Sequence, residues 1–191
     1  ALSNVVALTV NAGDGNDIVT GGSLADVLNG DSGDDVLIGG DGNDVIDGGA
    51  GMDSLTGGGD TDTLIGGVDI DVVVETADSD FTVTDTELIV AGQSTDSLDG
   101  IELADLTGGD AANVFVATNF SGSATFNGAD GNDLFYGSDG DDQFNGGLGT
   151  DRVEQVTGFD QRLNNSAIEL GTWTPPSQTV PAWSFTADSS D

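Results

Sequence analysis

Through residues 12–74 an aspartate returns at every ninth position, and two places after each one stands an aliphatic residue. Nine-residue frames read off from Ala12 without a gap: AGDGNDIVT, GGSLADVLN, GDSGDDVLI, GGDGNDVID, GGAGMDSLT, GGGDTDTLI and GGVDIDVVV. Their sixth residues are Asp17, Asp26, Asp35, Asp44, Asp53, Asp62 and Asp71, and their eighth are Val19, Leu28, Leu37, Ile46, Leu55, Leu64 and Val73. The pattern returns at Gly128 as GADGNDLFY, GSDGDDQFN and GGLGTDRVE, with Asp133, Asp142 and Asp151 followed by Phe135, Phe144 and Val153. A disordered Gly/Asp-rich tract, which composition alone favours, has no reason to keep an apolar residue at every ninth place. The period belongs to a chain that stacks like units.

The chemistry of one frame predicts its shape. Glycine at the first, second and fourth places admits left-handed or crowded turn conformations. The three residues after the turn, such as Val45-Ile46-Asp47, form a short strand whose middle side chain points opposite to its neighbours. Two such frames close one coil of 18 residues. Stacked coils give two parallel sheets with the eighth-place side chains between them, and turns aligned on both edges about 4.8 Å apart. Asp17, Asp35, Asp53 and Asp71 then share one edge, and Asp26, Asp44 and Asp62 the other. Carboxylates that close repel by roughly 1 kcal/mol in water and about 3 kcal/mol at a protein surface. A hard divalent cation between turns reverses that sign. Carboxylates from two coils, with carbonyls exposed by glycine turns, offer the about six to eight oxygens that calcium accepts in flexible geometry. Magnesium, with its tight octahedron, fits such a site poorly.

Charge points the same way. The chain carries 35 acidic residues against two basic ones, Arg152 and Arg162, for a net charge of −33. Nucleic acid, anionic membranes and acidic polysaccharides are repelled by such a surface, so cations are the expected partners. Cysteine and histidine are absent, which removes disulfides, thiolate and imidazole metal sites and the commonest general base. No apolar run approaches the length of a membrane span. The first residues lack a charged-then-apolar leader, and the chain is expected to adjoin neighbouring domains of a longer protein.

The frames resemble G-G-x-G-x-D-x-U-x, the repeat of RTX (hemolysin-type calcium-binding) proteins. The resemblance covers residues 12–74 and 128–154, a little under half of the chain. It implies an all-β fold, a right-handed parallel β-roll in two blocks with short β capping and spacer segments. It implies several calcium ions, about five in the first block and one or two in the second. The implied pairs are 17/35, 26/44, 35/53, 44/62 and 53/71, then Asp133 with Asp151. Turn carbonyls near Gly13, Gly15, Gly22, Gly33, Gly40, Gly42, Gly49, Gly51, Gly58, Gly67, Gly131, Gly140 and Gly149 complete the implied ligand set. It also implies a bacterial protein exported, often by type I secretion, to the cell surface or the medium.

Departures from the repeat set further expectations. Leu24 replaces the fourth-place glycine before Asp26, while Asp60 and Asp69 replace it before Asp62 and Asp71; aspartate tolerates left-handed backbone better than leucine. Asp142 has Ala124 where an earlier partner belongs, which leaves Asp160 as its in-phase partner, and Asp80 is in phase with Asp62. Residues 1–11 read as a lead-in strand, 12–74 as the first roll, and 75–107 as a β spacer or cap. Residues 108–154 read as the second roll, degenerate over 108–127, with Phe115 and Phe126 continuing the inward column. FTVT and ELIV within the spacer spell a hairpin, and Ile101 alternates with Leu103 beyond it. Residues 155–170 read as a second cap, and 171–191 as a Pro/Ser/Thr-rich linker.

Three functions compete. A calcium-binding structural module of a large secreted or cell-surface protein, such as an adhesin, accounts for the repeats. A carbohydrate- or ice-binding face is the second, but outward positions such as Ile18, Thr20, Val36, Val45 and Thr63 form no regular threonine or aromatic ladder. An enzyme is the third; the repeat accounts for every carboxylate pair, so no catalytic residue is assigned, though a calcium-dependent accessory module of an exported enzyme stays consistent. No D-x-D-x-D-G loop of the EF-hand type occurs.

Overall fold

The structure, a computed structural model, describes residues 7–155 together with 162–164 and 168–170. Every regular element among them is a β-strand, and no helix there is long and apolar enough to cross a membrane. The strands form a sheet of eleven and a sheet of eight. In the first block the parallel register advances by one 18-residue coil at each step. Val27 faces Val45 and Val45 faces Thr63 in the larger sheet, while Ile18 faces Val36 and Val36 faces Ser54 in the smaller.

The eighth-place column fills the space between the sheets. Leu28, Leu37, Ile46, Leu55, Leu64 and Val73 are fully buried, and Val19 at the open end is only partly covered. Phe115, Phe126, Phe135 and Phe144 extend the column as aromatic rings, stacked or tilted with centroids 5.1–6.1 Å apart. Such offset pairs add roughly 0.5–1.5 kcal/mol each beyond the area they bury.

The spacer lies inside the stack and does not cover an open end. From the strand Val72–Thr76 the chain crosses to Phe81–Thr84, reverses through Glu87–Val90, and returns along Ser94–Asp99. Phe81–Thr84 and Glu87–Val90 form the expected antiparallel hairpin. Ser94–Asp99 runs parallel beside Thr63–Val68, with Leu98 against Leu64, and Phe81–Thr84 runs parallel beside Val114–Asn119, with Phe115 against Phe81. Both blocks therefore share the same two sheets. The expected alternation of Ile101 and Leu103 fails: Ile101 is buried but Leu103 faces out, and Ala104 and Leu106 fill the core. The strand Leu103–Thr107 takes its register from Val72–Thr76, with Ala104 over Val73, so inward positions shift by one.

Candidate metal centres

The register stacks the sixth-place aspartates as the period requires. Beyond Asp17, each carboxylate uses one oxygen to accept a backbone N–H from the coil before it. The N–H of Asp17 donates to Asp35 Oδ1 at 2.7 Å, that of Asp26 to Asp44 at 2.7 Å, and that of Asp35 to Asp53 at 2.8 Å. Asp44 donates to Asp62, and Asp53 to Asp71, both at 2.8 Å. In the second block Asp133 donates to Asp151 at 2.9 Å and Ala124 to Asp142 at 2.9 Å. One oxygen per carboxylate thus ties adjacent coils together.

The second oxygen divides the sites into two kinds. Asp17, Asp35, Asp44, Asp53, Asp62, Asp71 and Asp133 each keep a buried Oδ2 with no hydrogen-bond partner. Asp26 Oδ2 instead accepts the N–H of Gly22 at 2.6 Å, and Asp142 Oδ2 that of Ser138 at 2.7 Å, while the Ser138 hydroxyl donates to Asp142 Oδ1. The second residue of the frame sorts the two. Before the unpartnered carboxylates it is left-handed: Gly13, Asp31, Gly40, Gly49, Gly58, Gly67 and Ala129 all have positive φ. Gly22 and Ser138 are not left-handed, and their N–H groups close onto the carboxylate. Asp60 and Asp69 adopt φ 73° and 80°, as expected for aspartate in a glycine's place.

Leaving a buried carboxylate oxygen without a partner costs about 1–3 kcal/mol or more, and those of Asp35, Asp44, Asp53, Asp71 and Asp133 have a neighbour that suits a cation. A Cβ on Gly39 would collide with both Asp44 Oδ2 and the Gly57 carbonyl oxygen; one on Gly48 would meet Asp53 Oδ2 and the Gly66 carbonyl. Gly30 and Gly128 stand in the same relation to Asp35 with Gly48 and to Asp133 with Gly146. Carboxylate and carbonyl oxygens therefore converge on the space a side chain would fill. These carbonyls belong to first-place glycines, whereas the expected set names second- and fourth-place ones. The Gly22 and Gly40 carbonyls accept N–H groups of Asp41 and Gly59 at 3.0 and 2.8 Å, and those of Gly15, Gly33 and Gly131 run along the stack onto the next coil's Gly33, Gly51 and Gly149. No three carboxylates converge on one point among the described residues, so carbonyls must complete any ion's shell. The donors, all hard oxygens, fit calcium.

Gly48 isolates this cradle, because its backbone is not left-handed and only the collision forbids a side chain. Gly48→Ala is expected to lower stability in saturating calcium by about 1–3 kcal/mol, as overpacking does, and to weaken calcium binding. Calorimetry on the folded variant checks both.

Burial and like charge raise the carboxyl pKa along the stack. Asp62 is pushed up to about 7 by desolvation, opposed by the Asp44 N–H and reinforced by the charges of Asp96, Asp44 and Glu75. Asp71 and Asp133 rise to about 6, again chiefly by burial. Asp44 and Asp53 shift upward for the same reason. The one ion pair among the described residues, Arg152 with Glu154, neutralises none of them.

Two expected positions fall elsewhere. Asp80 is exposed and accepts the N–H of Val114 at 2.8 Å, because the hairpin carries it three strands away from Thr63–Val68. The rung above Asp62 belongs to Asp96, and the one above Asp71 to Glu102. Period-counting missed both, since the reversal breaks the phase. Asp142 is buried but both its oxygens are engaged, and Asp160 lies outside the described residues.

A parallel two-sheet solenoid with carboxylates stacked along its turn edges is a β-roll of the metal-binding kind. The family model of the RTX calcium-binding nonapeptide repeat matches in four copies, over residues 9–28, 20–53, 38–73 and 118–153. Together these span more than half of the 191 residues, and the chain belongs to that family. It is a calcium-binding repeat module on a structural fold. No curated protein matches the chain.

Proposed function

We propose that this module folds and stiffens on calcium and acts as a structural element of a larger bacterial protein at the cell surface or in the medium. The unpartnered, buried Oδ2 atoms of Asp35, Asp44, Asp53, Asp62, Asp71 and Asp133 support this reading more than any other feature. Each lacks a hydrogen-bond donor, and each faces the first-place turn. Asp17 offers the same oxygen at the less covered first coil. The calcium ions would sit along both edges, held by these carboxylates and first-place carbonyls. Asp26 and Asp142 contribute chiefly as hydrogen-bond acceptors, and Asp151 as the acceptor above Asp133. Extracellular calcium modules bind at about 10⁻⁴–10⁻³ M, which suits a chain that stays unfolded until export. The net charge of −33 keeps the metal-free state extended by self-repulsion.

Calorimetric titration of the chelated protein with calcium tests the assignment. Asp44→Asn is expected to lose at least one ion and to raise the calcium midpoint for folding several-fold. Asp26→Asn keeps an acceptor for the Leu8 N–H and is expected to change the stoichiometry little. Equal losses from the two would overturn the division into open and self-capped carboxylates, and absence of calcium binding in the unmodified chain would overturn the function.

A further inference from the structure

Resting on the calcium reading above, we propose that the non-repeat segment after Glu75 completes the last two divalent-cation sites of the first block, with Asp96 closing the site at Asp62 and Glu102 the site at Asp71. None of the four family matches covers residues 74–117, and nothing in the nonapeptide pattern places a ligand there. The backbone does. The N–H of Asp62 donates to Asp96 Oδ1 at 3.0 Å and that of Asp71 to Glu102 Oε2 at 3.0 Å. These repeat the bond that every earlier coil makes to the aspartate above it.

The oxygens left over point to a ligand. Asp62 and Asp71 are 1% and 0% exposed, and the Oδ2 of each has no partner. A Cβ on Gly66 would collide with both Asp71 Oδ2 and the Gly100 carbonyl, so Gly100 stands where a repeat's first-place glycine stands at Gly39 or Gly48. Left-handed backbone at Gly100, φ 65°, lets the chain place that carbonyl immediately before Glu102. On the other edge, Asp62 and Asp96 border a cleft with Thr63, Thr86, Glu87 and Ser97, and Asp96 Oδ2 accepts the Ser94 hydroxyl at 3.3 Å, a neutral donor that a cation can displace. Nearby in the same stack, the Glu75 Oε2 is likewise buried without a partner. Buried carboxylate oxygens left unpartnered repel one another in a low-dielectric setting. A divalent cation removes the repulsion and satisfies the oxygens. The spacer then continues the cation column between the blocks as well as the sheet.

Calcium titration of the chelated full chain by calorimetry tests this, using D96N, E102Q and D80N. Asparagine and glutamine keep an oxygen to accept the Asp62 or Asp71 N–H, so the loss falls on charge alone. D96N and E102Q are each expected to bind one ion fewer than the unmodified chain, or to bind one ion at least tenfold more weakly. D80N, at the residue that counting by eighteen selects, is expected to match the unmodified chain. Far-UV spectra in saturating calcium show that each variant has folded; if D96N does not recover the β-spectrum, E102Q, altered at an exposed side chain, decides alone. Unchanged stoichiometry and affinity in the folded variants would overturn this proposal while leaving the calcium module intact, as would an ion lost from D80N. A chain that binds no calcium at all would remove both.

Discussion

Excess EDTA is expected to abolish most of the far-UV β-signal of the calcium-loaded protein, and added calcium to restore it. The core is thin: each nine-residue frame buries one aliphatic or aromatic residue, worth about 1.5–3 kcal/mol. Against it each frame of the open kind sets one buried unpartnered oxygen, at about 1–3 kcal/mol, and repulsion from the carboxylate one coil away, at about 1–3 kcal/mol. Without metal these terms cancel the gain, leaving chain entropy unopposed. With metal they change sign. Five open carboxylates in the first block, from Asp35 to Asp71, each at a hundredfold over its dissociation constant, add about 13 kcal/mol. That is the whole stability of an ordinary domain. Circular dichroism in EDTA, then in excess calcium, measures the effect; a spectrum that EDTA leaves unchanged would show that the stack holds without ions.

The parts of this architecture that depend on local repetition could be read from sequence. A nine-residue spacing fixes the coil length, the inward column from Leu28 to Val73 and the stacking of Asp26 under Asp44 under Asp62, because a parallel solenoid converts sequence separation directly into height. The hairpin defeats that conversion. Asp80 is 18 residues after Asp62, yet the chain climbs past the next position before descending, so Asp96 arrives at the rung Asp80 was expected to fill. FTVT and ELIV announced the hairpin; nothing local announced which of its strands would lie beside Thr63–Val68.

Backbone direction was the other hidden quantity. Glycine at the first, second and fourth places reads alike in sequence, but the three serve different ends. Second- and fourth-place glycines such as Gly40 and Gly42 are left-handed, whereas Gly39 has ordinary φ and is glycine because oxygens occupy the space of its Cβ. The carbonyls offered to a cation follow from that second reason, which needs three-dimensional neighbours to see. Leu24, by contrast, was a visible departure. Its frame is one of the two in which the carboxylate is capped by its own turn, the other being that of Ser138, which the sequence reading passed over.

Acid is expected to substitute partly for calcium: in excess EDTA, the chain should be more folded at pH 5 than at pH 8. The sign follows from the direction of the shifts. Asp62, at about 7, and Asp71 and Asp133, at about 6, hold their protons more tightly in the fold than an ordinary aspartate does at 3.8. A carboxyl whose folded pKa is raised favours the fold fully below its unfolded pKa and loses that contribution as pH rises through the folded value. The metal-free fold therefore weakens from about pH 4 to about pH 7. A protonated carboxyl also becomes a donor, able to satisfy the neighbouring carbonyl that a cation would otherwise meet. Lower net charge acts in the same direction by easing self-repulsion. With calcium present the dependence reverses, because protons compete with metal for the same oxygens: the calcium midpoint for folding should fall as pH rises from 5.5 to 8. Far-UV titrations at several pH values, with and without calcium, give both curves. A metal-free chain equally unfolded at pH 5 and pH 8, or a calcium midpoint independent of pH, would mean that the buried aspartates are not the groups that calcium must discharge.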